Sequence, residues 1–205
     1  MNDPIDFYFD FASPYAYFAS TRIDELAARH GRTVRWHPVL LAVFFKVTGG
    51  RPGPTVPVLG PYMVHDMART ARLHGIPFRM PALPPPLLLG APRAMLWLQR
   101  EHGDALAVAF AKRCLAAYHS EGVDIGKEEA VLRIGVEVGA DPDALAQGMH
   151  SEAIKEALKE ECNAALAKGV FGVPFVLADG EPFWGFDRFD QLEGWLQAAA
   201  KEAAA

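Results

Sequence analysis

Ile5-Asp6-Phe7-Tyr8-Phe9-Asp10-Phe11-Ala12-Ser13-Pro14-Tyr15-Ala16-Tyr17 is the stretch on which the fold turns. Ile5 to Phe9 alternates apolar and less apolar residues and is rich in β-formers, so it reads as a strand buried on at least one face. Asp10 to Pro14 then bends the chain into a helix whose shared face is Ala16, Ala19, Ile23, Leu26 and Ala27 and whose end is Gly31. Ser13 takes the capping position and Pro14 the first helical one, where a missing N–H costs nothing. Thr33 to Val39 alternates again through Val34 and Trp36, giving a second strand. Strands separated by a helix pair in parallel, so a right-handed βαβ unit is expected.

Outward from this unit, Gly49 to Pro92 is rich in Gly and Pro, with a helix between Pro61 and His74 and then the run Pro84-Pro85-Pro86; it reads as the rim of a site. Asp104–His119, Lys127–Val138, a short helix opening at Asp141-Pro142, and Ser151–Lys168 follow as a helical block. Phe175 to Leu177 returns to strand, Asp179-Gly180 is a favoured hairpin turn, and Pro182 to Trp184 is the partner strand. Asp187 to Ala200 closes the chain as a helix. The order βαβ, helices, ββα is the connectivity of an α/β, thioredoxin-like domain with a large helical insertion. Residues 1–48 and 163–205 are assigned to the former and 49–162 to the latter.

Composition narrows the function. The 205 residues are 51% hydrophobic with a net charge of −5, enough apolar material for a core and no general attraction to phosphate backbones or anionic lipid. No nucleic-acid or membrane partner is expected. Val39–Val47 is apolar but too short to span a bilayer, and Met1–Asp6 lacks a secretory pattern, so the expected location is cytoplasmic. Cys114 and Cys162 form no Cys-x-x-Cys pair and read as core thiols. The histidines have no metal-ligand spacing, and Gly49-Gly50 fits no phosphate loop.

Ser13 carries the chemistry that remains. At a strand-to-helix turn, backbone N–H groups converge on an anion and favour a thiolate, although spacing alone favours the reading as an ordinary cap. Gly172-Val173-Pro174-Phe175 places a proline directly before a strand. A cis Val173–Pro174 bond accommodates it and leaves the Val173 backbone open to a peptide-like ligand; a simple turn is the other reading. Asp187 stands where the last helix starts, either as a cap or as the receiver of a ligand ammonium group. Most aromatics near Ser13 read as core, with Tyr15 and Tyr17, which have polar tips, as pocket-lining candidates.

Residues 10–17, Gly169-Val170-Phe171-Gly172-Val173-Pro174-Phe175 and Phe183-Trp184-Gly185-Phe186-Asp187-Arg188 together resemble the 2-hydroxychromene-2-carboxylate isomerases and the related kappa-class glutathione transferases, which share a DsbA-like fold. Tyr62 to Arg69 and Gly75-Ile76-Pro77-Phe78 extend the likeness over the whole chain. Disulfide-exchanging relatives carry Cys-Pro-x-Cys where this chain has Ser13-Pro14-Tyr15-Ala16, and the resemblance implies that the thiol comes from glutathione. The resemblance implies that Ser13 hydrogen-bonds its sulfur, that Val173 beside Pro174 pairs with the tripeptide, and that Asp187 and the Phe186 backbone hold the γ-glutamyl end. It implies interconversion of 2-hydroxychromene-2-carboxylate and trans-o-hydroxybenzylidenepyruvate, an aromatic acid, by thiolate addition, bond rotation and elimination. It also implies a homodimer.

Tyr62 then joins Tyr15 and Tyr17 on the substrate side, and Lys46 or Arg51 attracts the substrate carboxylate. The family commonly has Gly-Asn-Lys-Pro-Pro where this chain reads Gly49-Gly50-Arg51-Pro52-Gly53, and an asparagine where Leu87 follows the triple proline, so a more apolar pocket is implied. Competing readings are a kappa-like transferase that consumes glutathione and a scaffold that has lost catalysis.

Overall fold

The computed structural model describes residues 3–81 and 87–203. Pro84, Pro85 and Pro86 lie outside them.

Strand β1 (Ile5–Phe9) is buried along its whole length because it lies inside a mixed sheet of order β2-β1-β3-β4. It pairs in parallel with β2 (Val34–Pro38), from Ile5 opposite Val34 to Phe9 opposite Pro38. It pairs antiparallel with β3 (Phe175–Ala178), Tyr8 opposite Phe175, and β3 pairs antiparallel with β4 (Glu181–Trp184). The hairpin turn is at Asp179-Gly180, both with positive φ (56° and 85°), the backbone that Asp-Gly pairs tolerate best. Buried Arg32 clamps it: its guanidinium meets both Asp179 carboxylate oxygens at 2.8 and 3.1 Å, and its Nε donates to the Asp3 carbonyl at 2.6 Å.

The expected first helix is two. Helix α1 (Pro14–Ser20) and helix α2 (Ile23–Arg29) are separated where Thr21 and Arg22 donate to carbonyls three residues back, Phe18 and Ala19. The Ser20 and Thr21 hydroxyls also bond back, to Tyr17 and Phe18, at 2.7 Å. Hydroxyls that compete for backbone acceptors favour such a break. All five residues of the expected apolar face are still buried. They cover the sheet face of Phe7, Phe9 and Trp36, whose rings pack at 5.0 to 5.5 Å.

Helix α3 (Leu41–Thr48) has no counterpart in the sequence reading. Helix α4 (Leu59–Leu73) starts earlier than expected, with Pro61 inside its first turn, where backbone N–H groups have no intrahelical acceptor. Helix α5 (Gly90–His102) is also new; it packs on α6 (Asp104–Ala116) and α8 (Pro142–His150). After α6 the chain makes one π turn, Ala117–Glu121, before α7 (Glu128–Glu137). Helix α9 (Glu152–Ala167) continues through residue 162 and packs on β2. It faces the opposite side of the sheet, where Lys168 pairs with Asp6 at 3.0 Å and Glu161 with His37. Helix α10 (Phe189–Ala203) ends the fold beside β4.

Candidate active site

Ser13 lies in the turn between β1 and α1, only 6% exposed. Its backbone is extended (φ −92°, ψ 114°) and its Oγ accepts the Ala16 N–H at 3.2 Å, the geometry of a cap. The donors in the turn can be counted. Pro14 has none; Ala16 is taken by Ser13 Oγ, and Tyr17 N–H bonds the Ser13 carbonyl at 3.0 Å. Among the described residues, the Tyr15 N–H and the Ser13 O–H have no protein acceptor. Two donors with nothing to bind, side by side in a nearly closed site, suit an anion.

The turn is fixed from two sides. Asp10, 6% exposed, accepts the Ala12 N–H at 2.8 Å and the Leu41 N–H at 2.7 Å. Burial lifts its pKa to about 6 against the pull of those two bonds. On the other side His119, fully buried, places Nε2 at 2.9 Å from the Phe11 carbonyl oxygen. Burial lowers its pKa to about 3.

Continuing the β1–β3 register past Tyr8 and Phe175 brings Val173 level with Asp10, at the end of the sheet that holds Ser13. The Val173–Pro174 bond is cis. The Pro174 carbonyl accepts the Gly185 N–H at 2.9 Å, whereas Val173 N–H and C=O have no protein partner among the described residues. Gly185 has a φ of 106°, and a Cβ there would lie 2.3 Å from Asp187 Oδ1, so only glycine fits. Phe186 is buried, with ring centroids 6.1 Å from Phe18 of α1 and 4.8 Å from His74. The Asp187 carboxylate instead stands 74% exposed, 3.3 Å from Arg188. It makes no capping bond among the described residues.

Helix α4 closes the other side. Tyr15 donates its hydroxyl to Asp66 at 2.6 Å; burial, and then Asp66, push the phenol pKa up. Asp66 also pairs with Arg69. Arg69 Nη2 reaches the Tyr62 hydroxyl at 3.4 Å, with the guanidinium 5.8 Å from the centre of that ring. Tyr62 is 59% exposed. Thus Ser13, Tyr15, Val173, Pro174, Phe186, Asp187 and Tyr62 are gathered around one end of the sheet.

Tyr17 departs from the pocket-lining expectation. It is 4% exposed, stacks on His119 at 5.2 Å and donates its hydroxyl to the Pro77 carbonyl at 2.8 Å, so its polar tip is spent inside the protein. Lys46 and Arg51 point into solvent, with no ion pair or hydrogen bond to the Ser13 turn among the described residues. The sequence reading gives Asp10, Asp66 and Arg69 no site role, although they fall within the stretches that carry the family likeness, and it gives His119 none. An aspartate inside an apolar run, as Asp10 is, signals a buried acceptor; nothing near His119 marks it.

A family model of the DSBA-like thioredoxin domain matches residues 4–197. The 2-hydroxychromene-2-carboxylate isomerase of Pseudomonas putida is 31% identical over 203 residues, 98% of this chain and 97% of the relative. A solved structure of 2-hydroxychromene-2-carboxylate isomerase superimposes with a TM-score of 0.88 at 30% identity, covering 98% of this chain and 97% of the other. The chain belongs to the 2-hydroxychromene-2-carboxylate isomerase family of DSBA-like thioredoxin domains. Glutathione S-transferase kappa 1 of Caenorhabditis elegans is a more distant relative, 29% identical over 94% of this chain and 90% of its own length.

In this member of the isomerase family the protein's own sulfur is out of play. Cys114 and Cys162 are free and buried, and burial pushes both thiols up, away from ionisation. The turn between β1 and α1 carries the Ser13 hydroxyl in place of a thiol. No helix among the described residues is long and apolar enough to cross a membrane, and no cluster there could hold a metal ion.

Proposed function

We propose that the chain is a glutathione-dependent isomerase that interconverts 2-hydroxychromene-2-carboxylate and trans-o-hydroxybenzylidenepyruvate. The observation that carries this reading is Ser13: its Oγ is used as an acceptor by Ala16, which leaves the O–H free as a donor beside the free Tyr15 N–H. A thiolate is the anion that such a pair suits, and the name of the glutathione S-transferase kappa relative supports glutathione as its source. The residues fit the tripeptide. Val173 offers one free N–H and one free C=O for strand-like pairing, and the exposed Asp187 carboxylate suits an ammonium group.

When bound, glutathione supplies the nucleophile that turns the conjugated double bond temporarily single, so that rotation about it becomes easy. The chain's part is to hold and to orient. Ser13 O–H and Tyr15 N–H favour the ionised sulfur over the neutral one, which needs only a modest shift from roughly 8.5 to be ionised near neutral pH. Arg69, with Nε and Nη1 unpaired among the described residues, receives the substrate carboxylate in its planar fork, beside the exposed face of Tyr62. Lys46 and Arg51 act from further out, by attraction through solvent.

A cytoplasmic homodimer, with residues 49–162 as the helical insertion, completes the proposal. The test is product analysis with substoichiometric glutathione. Many turnovers with glutathione recovered unchanged support isomerisation; one thioether formed per glutathione consumed points to a transferase instead.

A further inference from the structure

His119 is remote from Ser13 in sequence, yet it holds the peptide unit that aims it. The π turn carrying it closes a hydrogen bond that spans one residue more than in an α-helix, and the adjacent side chains of Tyr118 and His119 both lie inside the protein. A carbonyl oxygen only accepts, so the 2.9 Å contact with Phe11 means that Nε2 bears the ring proton. Nδ1 is buried with no partner among the described residues, and burial keeps the imidazole neutral. The ring stacks on Tyr17 at 5.2 Å, and Tyr17 bonds Pro77. The His119 carbonyl accepts the Arg79 N–H at 2.7 Å, which closes a bracket from α1 through residues 77–79 and the π turn to Phe11.

Within the turn, Ala12 N–H is held by the Asp10 carboxylate and Ser13 N–H by the Asp10 carbonyl. His119 holds the Phe11 carbonyl, so the Phe11–Ala12 peptide is fixed at both its C=O and its N–H. We infer that His119 is a positioning residue: through the Phe11–Ala12 peptide it sets the direction of the Ser13 hydroxyl and thereby the acidity of the bound thiol. This rests on the glutathione reading above.

The experiment compares His119→Phe, which keeps a stacking ring and loses the donor, with His119→Gln, whose amide N–H reaches the same place without the ring. Bound glutathione is titrated by its thiolate ultraviolet absorbance, alongside kcat, KM and Tm. In His119→Phe the bound thiol pKa rises by about one unit and kcat near neutral pH falls about tenfold with KM little changed, because a small misplacement of a charged hydrogen bond is costly. His119→Gln restores both to within about twofold while its Tm still drops, since the stacking is lost. Equal loss of Tm in both variants with the thiol pKa unmoved assigns His119 a structural role only and overturns the proposal. Wild-type protein that binds no glutathione overturns the glutathione reading, and the role of His119 with it. Should His119→Phe not fold, nitrogen NMR of the wild type decides: a neutral Nε2–H tautomer whose signal shifts on adding glutathione supports the bracket, and an Nδ1–H tautomer or an unmoved signal overturns it.

Discussion

Ser13 accepts with its oxygen and keeps its proton, so Ser13→Ala removes two things at once. The lost cap costs about 1 kcal/mol of stability. The lost donor to a charged sulfur is worth about 1.5–3 kcal/mol, so kcat falls roughly tenfold to a hundredfold. Chemical denaturation and steady-state kinetics read the two effects separately. Asp10 and His119 give a second prediction, because their titrations oppose each other. Asp10 has an ordinary value of 3.8 raised to about 6 by burial, so its contribution to stability is present at low pH and fades as pH rises through that interval. His119 has an ordinary value of 6.5 lowered to about 3, so its neutral burial is favourable near neutrality and becomes a penalty as pH falls. Relative to wild type, Asp10→Asn is therefore more damaging at about pH 4.5 than at about pH 7, and His119→Gln the reverse, measured by urea unfolding at both values. Ser13 was legible because a cap followed by proline is a local pattern; His119 was not, since its meaning comes from a carbonyl far away in the chain.

Among the elements, local punctuation is legible in the sequence and burial is not. Asp179-Gly180 announced its hairpin because positive φ at two successive positions selects those residues. Ser20 and Thr21 sit in a run that looks continuously helical, and only their hydroxyl bonds to Tyr17 and Phe18 show the break. Helix α5 escaped because its stretch opens amid Gly and Pro and its apolar positions answer to α6 and α8 together. Helix α4 was legible as a helix, but its part in the site depends on Tyr15 reaching Asp66 across the gap to α1. That link yields a prediction for substrate binding. Arg69→Gln keeps a polar side chain but loses the charge and the guanidinium fork, and raises KM for the aromatic acid about tenfold or more with a smaller change in kcat. Lys46→Gln changes KM less than twofold at moderate salt, because an exposed charge is screened. Steady-state kinetics on both variants at one ionic strength is the check; equal effects would return the carboxylate to Lys46.

For the molecule as a whole, one end of the β2-β1-β3-β4 sheet gathers segments that begin at residues 10, 59 and 173, and the helical block braces that end from behind. The connectivity was visible in the sequence because strand, helix and turn signals alternate along it. The bracing was not, because it runs through contacts between Phe11, Tyr17, Pro77 and His119, far apart in sequence, that no periodicity encodes. Among the described residues, the fold thus presents a hydroxyl proton and a backbone N–H without protein acceptors at a turn that carries no thiol. A crystal structure of the protein soaked with glutathione tests this most directly. The account predicts the sulfur within hydrogen-bonding distance of Ser13 Oγ and the cysteinyl backbone paired with Val173; a tripeptide bound elsewhere, or with its sulfur turned away from Ser13, would contradict it.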